Sequence, residues 1–392
     1  MFLLWVVAML TAHDYSCASR AVAQVMNTET KKPLPQLSVI ITAYDQAEDL
    51  RHHLPAILQQ DYPHFEVFVV DVASKDDTRK LLEDLAFEYQ HLRFTTLPSS
   101  TRDISLQRLA LALGFRAASN EWVVITSANC EPASPHWLQR IGEAIVNPVP
   151  SHIGVDAPDI VIGHAAYRPS PERFRNKANF NRLWQALMNT SHVLAGYAAV
   201  RADACNVAIR RSLFLDSNGF GEDHNLKAGA EELMVNRLST NTNTALLLHP
   251  EGLVLQDAIP NEAIWHRMQT FYAETRRHQR HNFIYRMRCR LFLIMPWTMV
   301  VLFFFAIYLS MLFGVRPTDY WLIIVAALLL MMLSAYIVFK VKSFNTAVRL
   351  SSHPQDYRLT FLSYELLMPF WLLSARLARL FAPKKEFRKK FV

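Results

Sequence analysis

Three short polar turns carry many of the residues in this chain that could contact a ligand. They are Thr42-Ala43-Tyr44-Asp45, Asp71-Val72-Ala73-Ser74 and Thr126-Ser127-Ala128-Asn129. Each follows a β-branched apolar run, so each should sit where a buried strand ends. The Asp71 carboxylate is a strong acceptor for neutral donors; as plain structure it would be a helix N-cap or turn residue. Ser127 and Asn129 offer neutral oxygens, which hold hard divalent cations poorly. Further along, Glu231-Glu232 supplies two adjacent carboxylates. Arg276-Arg277-His278 supplies charge that could offset an anion, although cations just ahead of an apolar span are also what membrane topology alone requires. No GxGxxG, GxxxxGK[ST] or GxSxG motif occurs, which argues against a dinucleotide dehydrogenase, a P-loop enzyme and an α/β-hydrolase. The four cysteines are scattered, without metal-ligand spacing, so they read as packing residues of a reduced, cytosolic compartment.

The elements that must hold these turns are legible. Leu37–Thr42, Phe65–Asp71, Leu92–Leu97 and Trp122–Thr126 read as strands buried on both faces, hence a parallel sheet. Helical patterns alternate with them: Leu50, Leu54, Ile57 and Leu58 share one face, and Leu81, Leu82 and Leu85 another. Ser74 with Asp77 predicts a capping box, and Ser134-Pro135 an N-cap followed by a first-turn proline. The alternation predicts an α/β sheet with flanking helices, which binds ligands outside its C-terminal strand ends.

The net charge of +7 is concentrated on either side of an apolar block at 291–341, and such flanks point to membrane lipids, not nucleic acid, as partner. Leu291–Phe313 and Tyr320–Phe339 are uncharged and long enough to cross a ~30 Å hydrocarbon core, so they predict a transmembrane helical hairpin. Arg276, Arg277, Arg280, Arg286, Arg288 and Arg290 precede it and Lys340, Lys342 and Arg349 follow, whereas the Gly314–Asp319 turn holds only Arg316. The positive-inside rule then puts both flanks in the cytoplasm, at the inner membrane. Met1–Ala12 predicts a shortened anchor within residues 1–19, in preference to a signal peptide cut near Ala21-Val22-Ala23. Phe361–Phe381, interrupted by Pro369, predicts an interfacial amphipathic helix in a basic tail over 342–392.

As a set, the segments resemble family 2 glycosyltransferases over roughly residues 36–290. The resemblance rests on Leu37–Asp45, Phe65–Asp71 with Asp76-Asp77-Thr78, Trp122–Cys130 with Pro132–Leu138, Glu231-Glu232-Leu233 and Glu274-Thr275-Arg276-Arg277-His278. It implies a GT-A fold and inverting transfer from a nucleotide sugar. Residues 36–140 would be the nucleotide-sugar half and 141–290 the acceptor half with the juxtamembrane segment. Thr42, Tyr44 and Asp71 would line the base and ribose pocket. Arg102, Asn129, Arg277 and His278 would meet the rest of the donor, and Glu231 and Glu232 would be catalytic.

Four positions depart from the family pattern. Val72 replaces a second acid. Ser127-Ala128-Asn129 replaces the Asp-x-Asp turn that holds Mg²⁺ or Mn²⁺, leaving Asn129 as its one weak metal ligand. Ala230-Glu231-Glu232 replaces Glu-Asp-Asp, and Glu274 replaces a glutamine. The expected function is membrane-bound transfer of a sugar to a polysaccharide or lipid-linked acceptor at the cytoplasmic face. The alternative is a catalytically inactive relative that serves as a binding or scaffold subunit for other glycosyltransferases.

Overall fold

The computed structural model describes residues 15–24, 32–98, 106–149, 155, 157–170, 172–220, 226, 228–280, 283–312, 320–350 and 357–383. The expectations for Met1–Ala12, Arg102, the 314–319 turn and the basic residues from 384 onward lie outside these.

The first half alternates as its sequence demands: β1 (Leu37–Ala43), α2 (Ala47–Leu58), β2 (Phe65–Asp71), α3 (Thr78–Glu88), β3 (Leu92–Thr96), α4 (Leu106–Ala117) and β4 (Trp122–Ser127), preceded by a helix α1 over residues 15–24. These strands pair in the parallel order β3-β2-β1-β4. Six of the seven residues of β1 are buried, because the sheet is covered on both sides. Val39, Ile41, Val67 and Val69 pack with α2 and with α5 (Trp137–Val146). Ile40, Val123 and Ile125, one residue out of phase, pack with Leu111 and Phe115 of α4 on the opposite face.

The sheet extends through β8 (Val207–Arg210), antiparallel to both β4 and β6 (Ile160–Ile162), and then β9 (Thr244–Leu246), parallel to β6. A second sheet, β5 (Cys130–Pro132), β10 (Val254–Gln256) and β7 (Ala165–Tyr167), lies beyond the β4 turn. These three-residue strands are too short to show a period in the sequence. The remaining elements are α6 (Arg173–Leu194), α7 (Arg211–Asp216), α8 (Ala230–Leu238), α9 (Glu262–Thr275), α10 (Phe283–Leu312), α11 (Tyr320–Leu350) and α12 (Thr360–Phe381).

Two local expectations are corrected. Asp77 precedes α3 without a side-chain cap, so no capping box forms. Instead, Asp76 accepts from the Thr78 N–H with one oxygen and from the Ala47 N–H with the other, and Ser74 Oγ accepts from the Asp45 N–H. Pro135 is not in the first turn of α5, which starts at Trp137; Ser134 Oγ accepts from the His136 N–H just ahead of it.

A third core joins α1, α6, α10, α11 and α12 through Tyr15, Phe180, Phe292, Phe344 and Phe361. Residues 15–19 of the expected anchor thus begin a packed helix. Among the described residues no helix is long and apolar enough to cross a membrane, so the expected hairpin is not found as a transmembrane one. The helices α10 and α11 do carry exposed large apolar side chains, among them Val301, Phe304, Phe305, Leu328, Leu330, Met331 and Val338. Pro369 does not break α12, which runs through it. Lys340 is not a solvated flank: it is 1% exposed, paired with the equally buried Glu365 of α12, and its Nζ lies 4.0 Å from the Phe292 ring centroid.

Removing one member of a buried ion pair strands the other, at a cost of about 3–5 kcal/mol. Lys340→Met is expected to lower stability by that order in denaturant melts of the purified protein. The Lys340→Met/Glu365→Leu double variant should recover most of it. Equal melting of wild type and Lys340→Met would refute the pairing.

Candidate active site

The C-terminal ends of β1, β2 and β4 form one edge. Thr42 is level with Val70 on one side and Ser127 on the other, and Ala43 is level with Asp71. Adjacent strands are ~4.8 Å apart, so Thr42 and Ser127 stand side by side. The first two turns lock each other. Asp45 and Ala73 both adopt left-handed backbone, φ 49° and 53°, a conformation uncommon outside glycine. The Asp45 N–H donates to Ser74 Oγ at 2.9 Å, and Asp45 Oδ1 accepts from the Lys75 N–H at 2.6 Å. Asp71, 1% exposed, accepts from the Ser74 N–H at 3.2 Å. Tyr44 stands exposed on the rim.

Past Ser127 a cavity of about 290 Å³ opens between β4, α6, α8 and α9. It is lined by Ser127, Gln107 and the charged groups Arg182, Asp203, Arg201, Glu232, Glu231 and Arg276. Four of these charges form two closed pairs. Arg182 gives Nε and Nη2 to the two oxygens of Asp203 at 2.6 and 2.7 Å. Burial opposes ionisation of Asp203, but the guanidinium outweighs it and holds the carboxyl below its usual range. Arg201 lies 3.1 Å from Glu232, whose other oxygen accepts from Gln279 at 2.5 Å.

The other two, Glu231 and Arg276, form no ion pair among the described residues. Glu231 is 4% exposed and accepts from Gln107 Nε2 at 3.2 Å. Burial pushes its carboxyl above the usual range, against a smaller opposing effect of Arg108. Arg276 Nε is shielded from solvent and has no hydrogen-bond partner. Burial first, and Arg201 second, lower the Arg276 guanidinium to about 10, so it stays cationic at neutral pH.

Gly229 brings these two groups together. It precedes α8 at φ 74°, and a Cβ there would meet Thr275 Cγ2 at 2.6 Å. Thr275 Oγ1 donates to the Ala228 carbonyl at 2.9 Å. The first turn of α8, with Glu231 and Glu232, therefore rests on the last turn of α9, which delivers Arg276. The N-terminus of α8 also favours negative charge there.

The β4 turn does not fit a divalent cation. Asn129 Oδ1 accepts from Gln256 Nε2 at 3.1 Å, and its backbone carbonyl accepts from the Asp257 N–H at 3.0 Å, so Asn129 stitches the turn to β10. Gln256 Oε1 in turn accepts from Arg182 Nη1 at 2.9 Å. Arg182 Nη2 is 3.4 Å from Cys205 Sγ, which is 3.9 Å from Ser127 Oγ. A cation at this turn would find two neutral oxygens, and the neighbouring Asp203 carboxylate has both of its oxygens taken up by Arg182.

Of the residues the sequence singled out, Thr42, Asp71 and Tyr44 share the strand-end edge, and Glu231 and Glu232 share the cavity with Ser127. Asn129 does not line the cavity. Arg277, 61% exposed at its side chain, and His278 lie beside Glu274 instead. Sequence reasoning passed over Arg182, Arg201 and Asp203, which stand in no motif. It also passed over the inward role of Arg276, because neighbours in a cationic run are separated only by where α9 ends.

Residues 38–207 match the sequence model described as Glycosyl transferase family 2. The glycosyltransferase AglE of Haloferax volcanii is 28% identical over 109 residues, which is 27% of this chain and 34% of that protein. The chain therefore spans about a third of the length of that curated relative. A mannosyltransferase from Pyrobaculum calidifontis, solved with GDP-Man and Mn²⁺, aligns with 96% of this chain and 99% of its own at 16% identity and a TM-score of 0.48. S. aureus TarS 1–349 aligns with 89% and 93% at 14% identity and a TM-score of 0.41. Residues 38–207 are thus similar to the family 2 glycosyltransferase domain, and the mostly parallel α/β sheet with flanking helices that the sequence predicts is the one found.

If the β4 turn holds no divalent ion, Mn²⁺ should leave the melting temperature of the purified protein unchanged. A single site at a hundred times its Kd would add about 2.7 kcal/mol, an upward shift easily seen, and observing it would contradict this account of the turn.

Proposed function

We propose that the protein is a membrane-bound glycosyltransferase that moves a sugar from a nucleotide-sugar donor to a polysaccharide or lipid-linked acceptor at the cytoplasmic face. The observation that carries this reading is the charge pattern of the cavity: two closed ion pairs and two unpaired groups, a carboxylate and a guanidinium. Glu231 is the general base. It takes the proton of the acceptor hydroxyl as that oxygen attacks the anomeric carbon, and the bond to the nucleoside diphosphate breaks with its electron pair on the diphosphate. Arg276 faces the charge that develops there. Glu232, paired with Arg201, positions the first turn of α8. Thr42, Tyr44 and Asp71 receive the base and ribose. Ser127, beside Thr42, leads from that pocket into the cavity.

Membrane attachment is supported by the exposed apolar residues of α10 and α11 and by the apolar sequences they contain. The charge flanks support the cytoplasmic placement. The scaffold alternative has the departures at Val72, Ser127 and Asn129 in its favour. Against it stands Glu231, because a buried carboxylate that forms no ion pair among the described residues costs stability and a binding subunit has no use for one.

Purified protein incubated with UDP-, GDP- and TDP-sugars is expected to turn over at least one of them. Glu231→Gln should reduce that rate by about 10²–10⁴-fold, the usual contribution of a general base. The wild-type rate should rise with pH through a value above the ordinary carboxylate range. Absence of both turnover and binding for every donor would leave the scaffold reading.

The same carboxyl makes a stability prediction of defined sign. Its folded pKa is raised, so the folded state holds the proton more tightly than the unfolded state does. This contribution is present below the unfolded pKa and is lost as pH rises through the folded one. At neutral pH Glu231→Gln should therefore melt at or above the wild-type temperature. A marked fall would show that the carboxylate is structural.

A further inference from the structure

Cys205 lines the cavity between Ser127 and Arg182. The antiparallel register that sets Ile125 against Val207 continues to Ser127 and Cys205, and Cys205 Sγ is 3.9 Å from Ser127 Oγ. Arg182 Nη2 donates to the same sulfur at 3.4 Å. The Cys205 thiol donates to the Asp203 carboxylate, which also accepts from the Cys205 N–H at 3.1 Å. Reactive cysteines sit beside cations on accessible walls, whereas structural ones are enclosed and inert. Cys205 has the first kind of setting.

Cys130 is its neighbour away from the cavity. It opens β5, is fully buried and is not part of the cavity wall. Its thiol is hydrogen-bonded with that of Cys205; burial first, and this neighbour second, push it well above its usual range. Cys130 Sγ also lies 3.7 Å from Asn129 Oδ1. The two sulfurs thus join the turn after β4 to the segment ahead of β8. Both are free thiols, as are the half-buried Cys17 and Cys289 elsewhere.

We propose that Cys205 and Cys130 form a reversible oxidation site, with Cys205 the attacking thiol and Cys130 the resolving one. The oxidant is hydrogen peroxide, little larger than water, which a cavity of about 290 Å³ admits. The Cys205 sulfur attacks one peroxide oxygen, the O–O bond breaks, and the other oxygen leaves as water with the thiol proton. Sulfur is oxidised to a sulfenic acid and peroxide is reduced. The Cys130 sulfur then attacks the sulfenic sulfur. An S–S bond forms, the S–O bond breaks, and a second water leaves with the Cys130 proton. A dithiol reductant reverses the change. The S–S bond draws the sulfurs well inside their contact distance, so it displaces Cys205 from Ser127 and Arg182 and shifts the turn after β4. That the disulfide silences transfer rests on the reading of this cavity as the transfer site.

Peptide mapping of the full-length protein in detergent, before and after hydrogen peroxide, tests the site. Peroxide should yield a peptide linked through Cys130 and Cys205 that dithiothreitol removes. In Cys130→Ala, Cys205 should halt at the sulfenic acid and take up dimedone; in Cys205→Ala, Cys130 should stay unmodified. Absence of the linked peptide from the wild-type protein would overturn the proposal, as would dimedone on Cys130 in Cys205→Ala. Donor turnover should fall about a hundredfold on oxidation, the usual cost of a displacement of roughly 1 Å in a site, and return with dithiothreitol. Equal turnover with and without the disulfide would overturn the switch. A linked peptide in protein that turns over no donor would leave the oxidation site standing and remove the transferase reading; turnover without a linked peptide would do the reverse.

Discussion

The Arg182–Asp203 pair is the contact on which the site depends. Arg182 comes from α6 and Asp203 from the segment before β8, yet the guanidinium also reaches Gln256 of β10, Cys205 beside Ser127, and the Tyr167 ring of β7, whose centroid lies 4.5 Å away. One largely shielded cation thereby ties the main sheet, the small sheet and the long helix of the second half together at the turn after β4. Both partners are largely shielded, 13% and 20% exposed at the side chain, so removing one alone leaves the other poorly compensated. Asn129 belongs to this network through Gln256, which explains why an amide suits that position: it accepts from Gln256 Nε2 without adding a negative charge that Arg182 would have to share.

With that pair and Arg201–Glu232 closed, the charges left over define what the cavity can do. Glu231 is desolvated with no ion pair among the described residues and only the opposing field of Arg108, and Arg276 Nε has no hydrogen-bond partner. A group held in an unfavourable state by its surroundings is a candidate for chemistry, and here two such groups of opposite sign face one space. The arrangement also separates stability from function. The closed pairs hold elements together, whereas the unpaired groups cost stability.

Much of the first half was legible from sequence, because strands buried on both faces leave continuous apolar runs and helices leave a period. β1, β2, β3 and β4 fall within one residue of their expected spans, and the edge at Thr42, Asp71 and Ser127 follows from them. The second half was not legible in this way. β5, β7 and β10 are three residues each, and the residues that organise the cavity, Arg182, Arg201 and Asp203, make contacts from distant parts of the chain that no local pattern encodes. The Ser74–Asp77 capping box failed for a related reason: Ser74 Oγ is taken up by the Asp45 N–H, 29 residues away. Lys340 looked like a membrane flank because its partner, Glu365, lies in another helix. At the cationic run the chemistry was legible but the residue was not, since Arg276 turns inward and Arg277 outward at the end of α9.

The central claim is that a guanidinium fixed by the fold stands at the β4 turn where two neutral side chains leave a divalent ion without ligands. The most direct measurement is the rate of nucleotide-sugar turnover by the purified protein in excess chelator, compared with the rate in Mn²⁺. The account predicts equal rates. A rate that appears only with Mn²⁺ and vanishes in chelator would contradict it.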